Sequence, residues 1–215
     1  MGSRVLPSAP LPTPVPRSGV QHHPTGVPSS SPWSPGELAG RFVELSEPCG
    51  GAALSAAVSL LAQAQMQGEP VAWVATSSSV FYPPDVAAAG IDLTALAVIH
   101  PHTLREALRA TDHLLRSGGF GVVVLDLGNH PPIRMAAQSR LAAQARAHRS
   151  VWVCLTRNRT NAPSVGSLVS LRAEVRVECT GFDRFTWTLH AIKDKRRGPG
   201  WTYQGTCRGP EGLHA

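Results

Sequence analysis

GRFVELSEPCGGAALSAAV, residues 40–58, decides how the rest of the chain is read. Arg41–Ser46 has the period-two, β-branched character of a strand. Pro48-Cys49-Gly50-Gly51 then interrupts any regular element. From residue 52 to 67 the period changes: Leu54, Ala57, Val58 and Leu61 recur at helical spacing, and Gly68 closes the run. A strand, a glycine turn and a helix in that order open an α/β unit.

The pattern continues outward. Val71–Thr76 (VAWVAT) predicts a second strand, and the apolar run Ala95–His100 a third. Thr103 and Glu106 form a T-x-x-E capping box that satisfies the free N–H groups of a helix's first turn. Leu104, Ala107, Leu108, Thr111 and Leu115 form its apolar stripe, and Gly118-Gly119 end it. Val122–Leu125 (VVVL) and Val151–Leu155 (VWVCL) are unbroken apolar runs, as expected of strands buried on both faces. A helix over 134–149 separates them. Strands and helices in alternation imply a parallel sheet with right-handed crossovers. The tail differs, because Glu174–Cys179, Phe185–Ile192 and Trp201–Cys207 alternate polar with apolar residues. Gly181-Phe182-Asp183 joins the first two, and Gly198-Pro199-Gly200 precedes the third. These read as antiparallel strands that extend the sheet. The expected fold is α/β, a mixed sheet with a parallel centre and antiparallel C-terminal strands, flanked by helices.

The chain has 215 residues, of which 42% are hydrophobic, enough to bury one sizeable core. Nine of its 19 prolines precede residue 37, so residues 1–36 read as a disordered, proline-rich arm. Residues 37–207 read as the folded domain and 208–215 as a flexible tail. Cys49, Cys154, Cys179 and Cys207 stand far apart with no CxxC, which argues against a disulfide framework or a zinc site. Cys154 reads as core packing. His22-His23, two adjacent histidines in the arm, make no metal site alone. No cofactor and no metal are expected. No apolar run reaches 18 residues and no signal-peptide core is evident, so the expectation is a cytoplasmic protein without a membrane span. Charge is divided along the chain: residues 37–133 carry −5, whereas 134–192 carry +6 and 193–215 carry +3. A basic C-terminal half suits a polyanion or an acidic protein surface as partner.

The 40–58 stretch resembles the first strand, phosphate loop and following helix of the RecA family. The likeness runs through Gly90-Ile91-Asp92, Arg116-Ser117-Gly118, VVVLDLG at 122–128, RMAAQSRLAAQA at 134–145 and LHAIKDK at 189–195. It covers about 40–205 and implies a RecA-like core. The departures bear on activity. A phosphate loop needs small residues around the phosphates, a Lys for the β/γ-phosphates and a hydroxyl for Mg²⁺. Here the first glycine position is Glu47, the Lys position Ala53 and the hydroxyl position Leu54. Ser77-Ser78-Ser79 covers the family's catalytic glutamate, and Arg157 replaces its nucleotide-sensing glutamine. Asp126 keeps the position linked to Mg²⁺, although an Asp closing a strand also serves as a turn residue. The resemblance therefore implies a degenerate nucleotide site at Glu47, Ala53, Leu54 and Asp126, no catalytic residues and no ATPase activity.

The family's two DNA-binding loops correspond to Asn129–Pro132 and Arg157–Ser167, both short. Arg157 and Arg159 are the candidate DNA contacts, without an aromatic stacking platform, so any DNA binding is expected to be weak and non-specific. Lys193-Asp194-Lys195 matches a Lys pair that reaches a neighbouring protomer's nucleotide in the family. With Arg196 and Arg197 it forms the candidate RecA-facing surface. Among RecA relatives the chain resembles the ImuA-type accessory proteins of bacterial SOS mutagenesis. That likeness implies RecA and an ImuB-type inactive polymerase relative as partners. The alternatives are a SulA-type cell-division inhibitor and a DNA-binding module acting through the basic C-terminal half.

Overall fold

The computed structural model describes residues 31–47, 51–76, 79, 81–129, 132–157, 162–179 and 184–208. A short helix α1 (Pro35–Leu38) leads into strand β1 (Phe42–Ser46) and helix α2 (Ala52–Met66). Strand β2 (Val71–Ala75), helix α3 (Pro83–Ala88) and a 3₁₀ turn (Leu93–Ala95) lead to β3 (Leu96–Ile99). Helix α4 (Leu104–Ser117), strand β4 (Val122–Gly128), helix α5 (Met135–Ala147) and strand β5 (Val151–Thr156) follow. Strands β6 (Leu171–Cys179), β7 (Arg184–Asp194) and β8 (Thr202–Arg208) complete the chain.

All eight strands form one sheet in the order β3-β2-β4-β5-β1-β6-β7-β8. Every residue of β1, β2, β4 and β5 is buried, as the unbroken apolar runs require. Phe42 and Trp152, register partners on β1 and β5, stack with ring centroids 3.8 Å apart. The α1–α2 side of the sheet buries Val43, Leu45, Trp73 and Trp187 against α2. The other side buries Phe42, Val74, Leu125 and Trp152 against α4 and α5. The small residues Ala52, Ala53, Ala56 and Ala57 line the buried side of α2. The Thr103 cap and the left-handed Gly118 stop of α4 form as the sequence predicts.

Three expectations are corrected. The structured chain starts before residue 37: Trp33 is fully buried and donates its indole N–H to the Ala56 carbonyl at 3.1 Å. Its large apolar surface overrides the proline-rich composition around it. At the other end β8 continues through Arg208. Finally, β6 begins at Leu171 rather than Glu174, and its first half lies between two strands, paired parallel with β1 on one edge while the whole strand pairs antiparallel with β7 on the other. Arg172 and Glu174 look solvent-facing in sequence, yet both are buried, so the start of the strand is concealed. The turn expected at Gly181–Asp183 lies outside the described residues. Within the antiparallel part, Gly205 faces Trp187, and a Cβ there would lie 2.3 Å from the indole ring. That strand position has to be glycine for the tryptophan to fit.

A buried ion pair joins the two ends of the domain. Arg41 donates to Asp194 at 2.6 Å and to the Ser170 carbonyl at 2.9 Å. Asp194 also accepts the Trp201 indole N–H at 3.0 Å and the Arg196 backbone N–H at 2.8 Å. Burial alone raises the Asp194 pKa. The hydrogen bonds from Arg41, Arg196 and Trp201 outweigh it and hold the carboxyl below its usual range. A depressed carboxyl contributes stability that is present above its unfolded pKa, about 3.9, and is lost as pH falls through the folded value. Asp194→Asn leaves Arg41 as a buried, unmatched charge and is expected to cost about 3–5 kcal/mol at neutral pH. Denaturant titrations at pH 7 and below pH 4 check this, with the gap between variant and native chain narrowing in acid.

Candidate functional site

The carboxyl ends of parallel strands are where open α/β sheets place ligands. Here those of β1, β4 and β5 converge on one small pocket. Glu47, Ala53, Leu54, Asp126, Gly128, Leu155, Thr156 and Arg157 line it, with a cavity volume of about 20 Å³. All four residues of the degenerate nucleotide site therefore meet in space, and Arg157, expected as a DNA contact, joins them.

The first turn of α2 controls the chemistry of this pocket. Its N-cap is Gly51, in the left-handed conformation at φ 79°, which offers no side chain to the exposed N–H groups. Glu47 takes that role. Its carboxylate accepts the Gly51 N–H at 3.0 Å and the Ala53 N–H at 2.6 Å. Glu47 is itself buried, and its backbone N–H bonds the Thr156 carbonyl at 3.1 Å. Helix N-termini at glycine turns bind phosphate through these same donors and the positive end of the helix dipole. In this chain an internal anion holds them, and neither Ala53 nor Leu54 adds a cation or a hydroxyl.

Asp126 stands across the pocket near the end of β4. Burial pushes its carboxyl above the usual range, against a hydrogen bond from Ser79, the charge of Arg157 and the Gly128 N–H. The Asp126 backbone carbonyl accepts the Thr76 hydroxyl at 2.6 Å, which ties the ends of β2 and β4 together. Cys154 is fully buried within the core on the α5 side. Pro48–Gly50, Ser77, Ser78, His130, Pro131 and Arg159 lie outside the described residues.

Beneath the pocket lies a group that the sequence reading missed. Glu44, fully buried in the middle of β1, accepts the Thr156 hydroxyl at 3.2 Å, the Val165 N–H at 3.1 Å and the Ser164 hydroxyl. Arg172 approaches it at 3.7 Å and donates to the Ala162 carbonyl at 2.8 Å. This network anchors the stretch 162–165, in the second expected DNA loop, to the sheet. The available signal was an acidic residue flanked by apolar ones in a predicted buried strand, because such a charge needs partners.

The basic turn lies at the opposite end of the sheet. Register pairs Leu171 with Asp194 on one side and with Val43 on the other, which sets the turn beside the start of β1. Its four cations are not equivalent. Arg196 donates to the Glu37 carbonyl at 2.9 Å, and Arg197 pairs with the Glu37 carboxylate at 2.9 Å, so both hold α1. Lys195 is exposed. Lys193 is half-buried, and burial and the neighbouring Lys195 lower its pKa.

No family model matches the chain. It is 29% identical over 117 residues to the RecA protein of Rickettsia canadensis, covering 49% of this chain and 34% of that protein. With RecA of Rickettsia massiliae the identity is 27% over 137 residues, 59% of this chain and 38% of the relative. RecA of Clostridium acetobutylicum is 33% identical over 87 residues, 40% of this chain and 25% of the relative. The matches thus span about a quarter to two fifths of each RecA protein. This distant likeness supports a RecA-like family, with which the mixed α/β sheet agrees.

Asp126 provides a test of the pocket. A carboxyl whose folded pKa is raised costs stability at neutral pH, and the cost disappears as pH falls through the folded value toward the unfolded one. Asp126→Asn, which keeps an acceptor for Ser79 and Gly128, is expected to melt no lower than the native chain at pH 7. Thermal melts from pH 7 to pH 4 should show the native chain gaining on the variant in acid.

Proposed function

We propose that this chain is a non-catalytic RecA-like accessory protein of the bacterial DNA-damage (SOS) response. It supports translesion mutagenesis by binding and modulating RecA and an ImuB-type inactive polymerase relative. The observation that carries the reading is the Glu47 carboxylate on the Gly51 and Ala53 N–H groups. A nucleotide phosphate would have to displace a covalently tethered anion from those donors, with no lysine to compensate. That arrangement supports a reading in which the chain does not hydrolyse ATP.

A RecA-like subunit without its own nucleotide can still offer the other end of its sheet to a neighbour. Lys193 and Lys195 stand there at the positions that the resemblance assigns to contact across protomers, and Lys195 is open to solvent. Such a subunit would dock on a RecA filament yet not drive its growth. The ImuB-type partner rests on the ImuA likeness. General DNA repair and recombination is the broader setting that the RecA similarity supports.

Isothermal titration of the chain with Mg-ATP and then with RecA tests the reading. The expected outcome is no heat with Mg-ATP and saturable binding to RecA. Lys193→Glu with Lys195→Glu should weaken RecA binding at least tenfold with an unchanged melting temperature. Arg196 and Arg197 are left intact because they hold α1. Micromolar ATP binding, or no binding to RecA, overturns the proposal.

A further inference from the structure

Between residues 37 and 133 the chain has four arginines against nine acidic residues. One of the four, Arg41, is buried against Asp194. The other three, Arg105, Arg109 and Arg116, all belong to α4 and are all exposed. At 3.6 residues per turn, they fall within about 40° of one another around the helix axis. They form a row about 16 Å long on the face opposite the buried Ala107, Thr111, Leu114 and Leu115. His113, also exposed, sits beside the row between Arg109 and Arg116.

The acids of the same helix are already engaged. Asp112, which falls on the same row between Arg109 and Arg116, is paired with Arg140 of α5 at 3.0 Å, so that arginine offsets its charge. Glu106 accepts the His102 N–H at 3.0 Å while its own N–H is capped by Thr103. The guanidinium groups of Arg105, Arg109 and Arg116 make no hydrogen bond or ion pair with any described residue. In a region of net negative charge these three exposed guanidinium groups hold no partner among the described residues, although Arg116, in the last turn, also complements the helix dipole.

We infer that the outer face of α4, carrying Arg105, Arg109 and Arg116, is a contact surface for the phosphate backbone of nucleic acid. A guanidinium presents a planar fork of donors that suits phosphate oxygens. A duplex carries one charge about every 1.7 Å of its axis. A row of exposed, flexible cations about 16 Å long can reach phosphates in many registers, because the backbone repeats the same charge along its whole length. An acidic peptide would instead have to place carboxylates to match gaps of about 6 and 10 Å. The stripe presents no aromatic platform, so the contact is to the backbone and independent of sequence. This surface is distinct from both the Glu47 pocket and the basic turn, and the inference holds whether or not the chain binds RecA.

The test is fluorescence anisotropy of the full chain with a labelled duplex and a labelled single strand. It runs between about 50 and 200 mM salt, with polyglutamate as competitor. The triple variant R105Q/R109Q/R116Q should lose at least about tenfold in affinity, and its log–log salt slope should flatten by about two to three. The variant R134Q/R146Q/R208Q removes the same charge from exposed positions outside the stripe and should lose less, with a nearly native slope. Circular dichroism establishes that both remain folded. The inference is overturned if the native chain binds neither probe, or if polyglutamate binds it in preference to DNA. Equal losses in the two triple variants would also overturn it, because net charge alone would then explain the binding.

Discussion

Strand β1 runs through the interior of the sheet between β5 and β6, closed to water on both faces, yet three charged residues lie on or beside it. Arg41 precedes it, Glu44 sits at its middle and Glu47 follows it, and all three are buried. A buried charge without a partner is among the costliest defects a fold can carry. Each of the three therefore recruits a different part of the chain: Arg41 the residues Ser170 and Asp194, Glu44 Ser164, Val165 and Arg172, and Glu47 the first turn of α2. The loops at both ends of the sheet take their positions from these demands.

The third pairing bears on function. The start of a helix after a glycine turn is a ready anion site, and the identity of its anion decides what the fold can do. With a free phosphate the site binds and turns over nucleotide. With a carboxylate from just beyond the preceding strand it is satisfied within the chain, when the chain folds. On the proposed reading the same exchange goes with the absence of a lysine and a hydroxyl at Ala53 and Leu54, the positions that would hold phosphate and Mg²⁺. Both residues pack with the α2-side core instead.

Much of this was legible in the sequence. The unbroken runs VVVL and VWVCL, the Thr103–Glu106 box and the switch in period after Gly51 all report local physics that the fold preserves. The convergence of Glu47, Ala53, Leu54 and Asp126 followed from the likeness to a phosphate loop, which sets the turn after β1 and the first turn of α2 near the end of β4. Trp33 was hidden because composition averages over a window, whereas a single indole can bind a proline-rich segment to a core. The start of β6 was hidden because Arg172 and Glu174 carry charges that usually mark solvent, and only the partner across the sheet shows otherwise. The stripe on α4 was overlooked because the net charge of its region is negative, and a local row of cations vanishes in a regional sum. That Glu47 would accept hydrogen bonds from the helix, and not merely repel phosphate, required the geometry of the turn.

The most direct test of the Glu47 pairing is the amide NMR of Gly51 and Ala53. The account predicts that both resonances shift when Glu47 is replaced by Gln, and that neither moves in the native chain under millimolar Mg-ATP. A saturable shift of either resonance with Mg-ATP in the native chain would contradict it, because the donors would then be open to phosphate.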